Sequence, residues 1–124
     1  MIAYCFSENA SKLFKIGSYV GNGSNNGSFI YTGGKPVWVL LKNASSATSW
    51  TLYDNKRPGY NEDNAYLLAD TTDTELSDKD IDLLSNGFKP RTSNSALNTS
   101  GATYIYMAIN QPIVGQNNVP CTAR

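Results

Sequence analysis

Bulky and polar residues alternate with a period of two along most of this chain, which is the pattern of half-buried β-strands. Lys15-Ile16-Gly17-Ser18-Tyr19-Val20 reads as one strand and runs into Gly21-Asn22-Gly23-Ser24-Asn25-Asn26-Gly27, a loop dense in residues that accept positive φ. Phe29-Ile30-Tyr31 resumes extended structure before the turn Gly33-Gly34-Lys35-Pro36. Val37-Trp38-Val39-Leu40-Leu41 is apolar throughout, as expected of a central strand covered on both faces. Ser49-Trp50-Thr51-Leu52-Tyr53-Asp54 alternates and should be its hairpin partner. On this pattern Trp38 and Trp50 are core residues of adjacent strands.

Further on, Ala65-Tyr66-Leu67-Leu68-Ala69 suits a short strand or a single helical turn. Ile81-Asp82-Leu83-Leu84 and Phe88-Lys89-Pro90-Arg91 flank Ser85-Asn86-Gly87 as a hairpin, and Pro90, which cannot donate to a ladder, makes the second arm short or places it at an edge. Thr103 to Ile109 is the last strand before Gln111-Pro112. Roughly eight short strands punctuated by turns, with no convincing amphipathic helix, predict an all-β fold: an antiparallel β-sandwich, jelly-roll-like, with long polar loops. Residues 1–112 are expected to form one domain, and residues 113–124 a C-terminal arm.

The two ends echo each other. Ile2, Tyr4 and Phe6 alternate as Ile105, Met107 and Ile109 do, so residues 2–8 read as an additional strand. It must either lie beside residues 105–109 or add to a neighbouring subunit, because an exposed strand edge invites association. Cys5, inside that pattern, reads as a small buried hydrophobe, and a bridge to Cys121 is disfavoured where no secretory signal is present.

Composition narrows the function. The chain has 124 residues, 40 % of them hydrophobic and 16 % charged, enough for a self-sufficient core and too apolar for disorder. Ten basic and ten acidic residues cancel, so no long-range field favours nucleic acid or an anionic membrane. No apolar run approaches the ~20 residues of a membrane span, and no signal peptide is expected. The chain has no histidine, which removes Ser-His-Asp and Cys-His catalysis and the commonest transition-metal ligand. Gly21-Asn22-Gly23 only superficially resembles a nucleotide-binding turn, since a loop and not a helix follows it.

The acids Asp70, Asp73, Glu75, Asp78, Asp80 and Asp82 are the one local charge imbalance. Such oxygen donors suit Ca²⁺, but the spacing does not fit an EF-hand, and a solvated acidic loop is the preferred reading. No catalytic residue, cofactor or metal ligand is assigned. The contact candidates are aromatic and loop residues. Tyr104 and Tyr106 share one face of their strand, opposite Ile105 and Met107, and either meet a neighbouring chain or line the second sheet of the same sandwich. Asn22 and Asn25 in residues 21–27, and Arg57 and Tyr60 in residues 55–64, are further interface or ligand-contact candidates.

Several blocks recur together in one order: Tyr4-Cys5-Phe6-Ser7-Glu8, Lys15 to Ser24, Phe29-Ile30-Tyr31-Thr32-Gly33, Pro36 to Lys42, Trp50 to Asp54, Asp82 to Lys89 and Ser100 to Ala108. In this combination the chain resembles a module of tailed-bacteriophage virion proteins, common in marine and aquatic phages and often described as tail fibres. The resemblance implies a tandem module in which residues 2–8 are the last strand of a preceding copy and Val114 to Arg124 is the usual C-terminal end. It also implies a non-enzymatic part of the virion surface, made in the host bacterial cytoplasm, as a tail fibre, another appendage or a head decoration. Its partners would be other virion proteins, further copies of itself, trimers being common among such appendages, and a host-surface glycan or protein touched by loops such as residues 21–27 and 55–64, with no nucleic acid and no membrane insertion. A glycan-binding or glycan-degrading tailspike-type module is the alternative. Lys56-Arg57-Pro58 and the acidic loop depart from the family pattern.

Overall fold

A computed structural model describes residues 1–3, 5–7, 13–57 and 61–111. Among them are eight strands and no helix: β1 (Phe14–Val20), β2 (Ile30–Tyr31), β3 (Pro36–Asn43), β4 (Thr51–Asp54), β5 (Leu67–Leu68), β6 (Ile81–Leu84), β7 (Gly87–Pro90) and β8 (Thr103–Asn110). They form two antiparallel sheets, a five-stranded one in the order β1-β8-β3-β4-β5 and a three-stranded one in the order β2-β7-β6. The chain is an antiparallel β-sandwich.

The alternation of each strand sorts its side chains between the sheets. Val39 and Leu41 of β3, Tyr53 of β4, and Tyr104, Tyr106 and Ala108 of β8 point inward and are buried. Ile30, Ile81, Leu83 and Phe88 meet them from the small sheet. The Phe88 ring stands edge-on to Tyr19 and Tyr106, with centroids 6.1 and 5.4 Å apart, and so closes the two layers over the middle of the core. Two glycines are required by close approach. A Cβ on Gly17 would lie 2.7 Å from the Tyr106 hydroxyl, which crosses β1 at that point, and one on Gly87 would lie 2.1 Å from the Ile30 carbonyl oxygen.

Most strand expectations hold. β3 is the middle strand of the large sheet, β4 is its hairpin partner, and residues 67–68 are extended. β7 is short as expected, but it is the centre of its sheet and not an edge. Pro90 is tolerated there because it is the last residue of β7, and its carbonyl accepts the Gly27 N–H at 3.0 Å.

The described residues of the 2–8 segment, 2, 3 and 5–7, do not lie beside β8 within the sheet. Both edges of β8 are occupied, by β1 through Phe14↔Ile109 to Val20↔Thr103 and by β3 through Pro36↔Asn110 to Asn43↔Tyr104. Residues 1–3 and 5–7 belong to no strand, and the Phe6 ring packs on Phe14 with centroids 5.7 Å apart. Cys5 is correspondingly exposed, not buried. The proposed arm at 113–124, with Cys121, lies outside the described residues.

Candidate functional site

Two regions deserve comparison, the loop end of the sandwich and the outer face of the large sheet. At the loop end, polar side chains are spent on holding the chain to itself. Asn98, 1 % exposed, donates from Nδ2 to Asn22 Oδ1 (2.8 Å) and to the Ser24 carbonyl (2.7 Å), and its own Oδ1 accepts the Asn22 N–H (2.9 Å). Asn22 Oδ1 also accepts the Ser24 N–H at 3.0 Å, and its Nδ2 donates to the Asn26 carbonyl at 3.0 Å. Asn22 is thus exposed but fully engaged in fixing the turn, whereas Asn25 stands exposed at its tip.

Tyr104 and Tyr106 face the small sheet, the second of the two placements open to them from sequence. Tyr104 is wholly buried and stacks on Tyr19 with centroids 5.0 Å apart. Its hydroxyl donates to the Ser95 carbonyl and accepts the Thr99 N–H, both at 2.8 Å, while the Tyr19 hydroxyl donates to the Leu97 carbonyl at 2.7 Å. Burial raises the Tyr19 phenol well above the ordinary tyrosine range, with Tyr104 beside it adding to the effect. Tyr104 and Tyr106 therefore line the interior between the two sheets. Tyr104 and Tyr19 anchor residues 95–99, which in turn carry Asn98 to the Asn22 loop.

Arg57 is also occupied. Its Nε donates to Asp54 Oδ2 at 2.8 Å and its Nη1 to Glu75, which ties residues 55–57 to the acidic segment. Tyr60 lies outside the described residues. The acids of residues 70–82 are spread out. Asp70 accepts the Trp50 N–H at 3.0 Å, Asp78 accepts the Tyr66 hydroxyl, and Asp82 faces Arg91 at 3.5 Å. The bond from Tyr66 holds the Asp78 carboxyl below the usual carboxylate range. Among the described residues, no three acid or cysteine side chains are grouped as a metal site would require.

The outer face of the large sheet is of a different kind. Cross-strand register places Ile16 (β1), Met107 (β8), Leu40 (β3), Leu52 (β4) and Leu67 (β5) in one row, directly opposite one another on all five strands. The row on one side holds Phe14, Ile109, Trp38 and Asp54, and the row on the other holds Ser18, Ile105 and Lys42. Trp38, Leu40, Leu52, Leu67 and Met107 are only partly covered, and Trp50 and Ile105 are 37 and 41 % exposed. An open groove of about 430 Å³ runs here, with Ile16, Leu40, Ile105 and Met107 on its floor and Phe6 and Trp50 on its walls.

The tryptophans therefore do not join the core. Trp38 sits on an outward position of β3 next to buried Val39, and Trp50 directly precedes β4, next to buried Thr51. Sequence reasoning assigned no role to the aliphatic row, although one signal was available. β3 is apolar at both parities, and among the described residues only its inner face is fully covered.

Residues 1–112 match the family described as Domain of unknown function (DUF7483). The chain belongs to the DUF7483 family. No curated protein matches this DUF7483 chain, and no solved structure does either.

Proposed function

We propose that the chain is a non-enzymatic structural module on the surface of a tailed-bacteriophage virion, in a tail appendage or as a head decoration, acting through protein–protein contact. The observation that carries the contact role is the outer face of the five-stranded sheet. An antiparallel sheet whose outer side meets water alternates apolar-in and polar-out, whereas here every strand places an apolar side chain in the central row. Contiguous apolar patches beyond a few hundred Å² mark interaction sites on soluble proteins. The virion placement comes from the sequence resemblance, which spans nearly the whole chain.

The groove chemistry favours protein over glycan. Sugar recognition combines an aromatic platform with several converging hydrogen-bonding side chains, whereas the central row of this face is wholly aliphatic or thioether and its polar groups, Ser18, Lys42 and Asp54, stand apart in the flanking rows. The pinned loops suit the same role, because a part that makes fixed contacts gains from loops that are ordered before assembly. Gold-labelled antibody against the chain, applied to purified phage particles, tests the placement. Label on the head or the tail is expected, and detection only in infected-cell lysate would overturn it. Sugar release by the purified protein from host surface polysaccharide would overturn the non-enzymatic part.

A further inference from the structure

We infer that the outer face of the five-stranded sheet pairs with the same face of a second copy of this chain, about a two-fold axis along the row Ile16–Met107–Leu40–Leu52–Leu67. The inference rests on the reading of this face as a protein-contact surface and names its occupant. A half-turn about that row, perpendicular to the strands, lays each apolar row residue against the row of the other copy. It also exchanges the two flanking rows. Lys42 of one copy then stands over Trp38 of the other, with Asp54 of that copy one strand away, ~4.8 Å in the sheet direction.

The charge pattern makes the face complementary to itself. In the central and flanking rows of β1, β8, β3, β4 and β5 the charged residues are Lys42 and Asp54, and they lie on opposite sides of the central row. Two copies related by the half-turn thus bring unlike charges together at both ends. A parallel overlay of identical rows would instead set Lys42 against Lys42. Lys42 Nζ donates to the Thr48 carbonyl, which leaves it two further protons for a facing carboxylate or for the Trp38 ring. Asp54 is already oriented by Arg57 and by the Lys56 N–H at 2.9 Å, so its position is set before pairing.

The area is sufficient for a weak but specific pair. Strands spaced ~4.8 Å apart and rising ~3.3 Å per residue give this face a projected area of roughly 450 Å². A side-chain surface exposes more than its projection, so two copies hide on the order of 1,000 Å² or more, the lower bound for a specific interface. Packing would be that of sheets aligned face to face, ~10 Å apart.

The test is sedimentation equilibrium of the full chain in reductant, so that exposed Cys5 forms no cross-link. A monomer–dimer equilibrium is expected for the wild type. Leu40→Glu, which buries a charge on the axis, should weaken it more than about tenfold. Lys42→Asp and Asp54→Lys should each weaken it by about tenfold through like-charge contact. An equimolar mixture of those two variants should restore dimer to near the wild-type level, because both end contacts become attractive again. Far-UV circular dichroism confirms that each variant is folded. A wild type that stays monomeric, a dimer indifferent to Leu40→Glu, or a mixture no better than its components would each overturn the two-fold pairing. None of these results bears on the particle-labelling test, so failure of the pairing and failure of the virion reading are separable.

Discussion

Asp63 gives the sharpest prediction about the energetics of this fold. Its backbone is locked to β6, with its N–H donating to the Ile81 carbonyl at 2.8 Å and its carbonyl accepting the Ile81 N–H at 3.0 Å. The side chain is carried inward with it, to 2 % exposure, and neither carboxyl oxygen has a partner of normal hydrogen-bond geometry. Loss of hydration raises its pKa to about 7, and the Asp54 charge adds to the effect, while Arg57 and the Ala65 N–H oppose it. In the unfolded chain the group titrates near ~3.9. Between those two values the folded state holds a proton that the unfolded state has released, so stability falls as pH rises from 4 to 7 and is level above 7. At ~1.4 kcal/mol per pH unit the span corresponds to at most about 4 kcal/mol, and relaxation around the ionised group brings the expected effect nearer ~2 kcal/mol. Against a typical domain stability of ~5–15 kcal/mol this is readily measured. Urea unfolding followed by far-UV circular dichroism from pH 4.5 to 8.5 should show Asp63→Asn more stable than the wild type at pH 8 and similar to it, or slightly less stable, at pH 4.5. The chain has no histidine to add its own slope in this range, and subtraction of the two curves cancels the groups they share. A difference that is constant with pH, or a wild type more stable than Asp63→Asn at pH 8, would refute the reasoning.

Asn98→Ala should cost about 2–4 kcal/mol, since it leaves the Asn22 amide, the Asn22 side chain and the Ser24 carbonyl without their partner, and hydrogen exchange should accelerate throughout residues 22–26. Tyr104→Phe keeps the stack on Tyr19 but strands the Ser95 carbonyl and the Thr99 N–H, a loss of about 1–3 kcal/mol visible in the urea midpoint. Gly87→Ala drives a methyl into the Ile30 carbonyl oxygen at 2.1 Å and should lower the melting temperature through a penalty of about 1–3 kcal/mol, separating β2 from β7. In a spectrophotometric titration the phenols of Tyr19, Tyr53 and Tyr66, all raised chiefly by burial, should ionise only as the protein unfolds, well after the exposed tyrosines. A single transition near pH 10 for every phenol would contradict their placement.

Strand positions were legible in the sequence because a period of two survives whichever face is buried. The direction of each face was not. In Tyr104-Ile105-Tyr106-Met107 both parities carry large, partly apolar groups, so alternation alone leaves the inward side open. For Tyr104 the choice goes with hydroxyl partners at Ser95 and Thr99, which belong to a loop that only the fold brings near. Trp38 and Trp50 are misjudged for the same reason, since a tryptophan beside a valine or a threonine gives no sign of which of the two turns in. Asn22 reads as a loop tip until Asn98, 76 positions away, reaches it. The expected two-sided cover of β3 was half realised. Its inner face packs on the small sheet, while its outer face, continuous with Ile16, Leu52 and Met107, is only partly covered by the described residues.

The central claim is that this outer face exists to be covered by protein on a virion. Electron cryomicroscopy of purified particles, with the chain located in the density, measures that directly. The account predicts that the sandwich lies on the particle with Leu40, Met107 and Trp50 buried against another polypeptide. Density in which the three-stranded side makes the contact and the five-stranded face looks into solvent would contradict it.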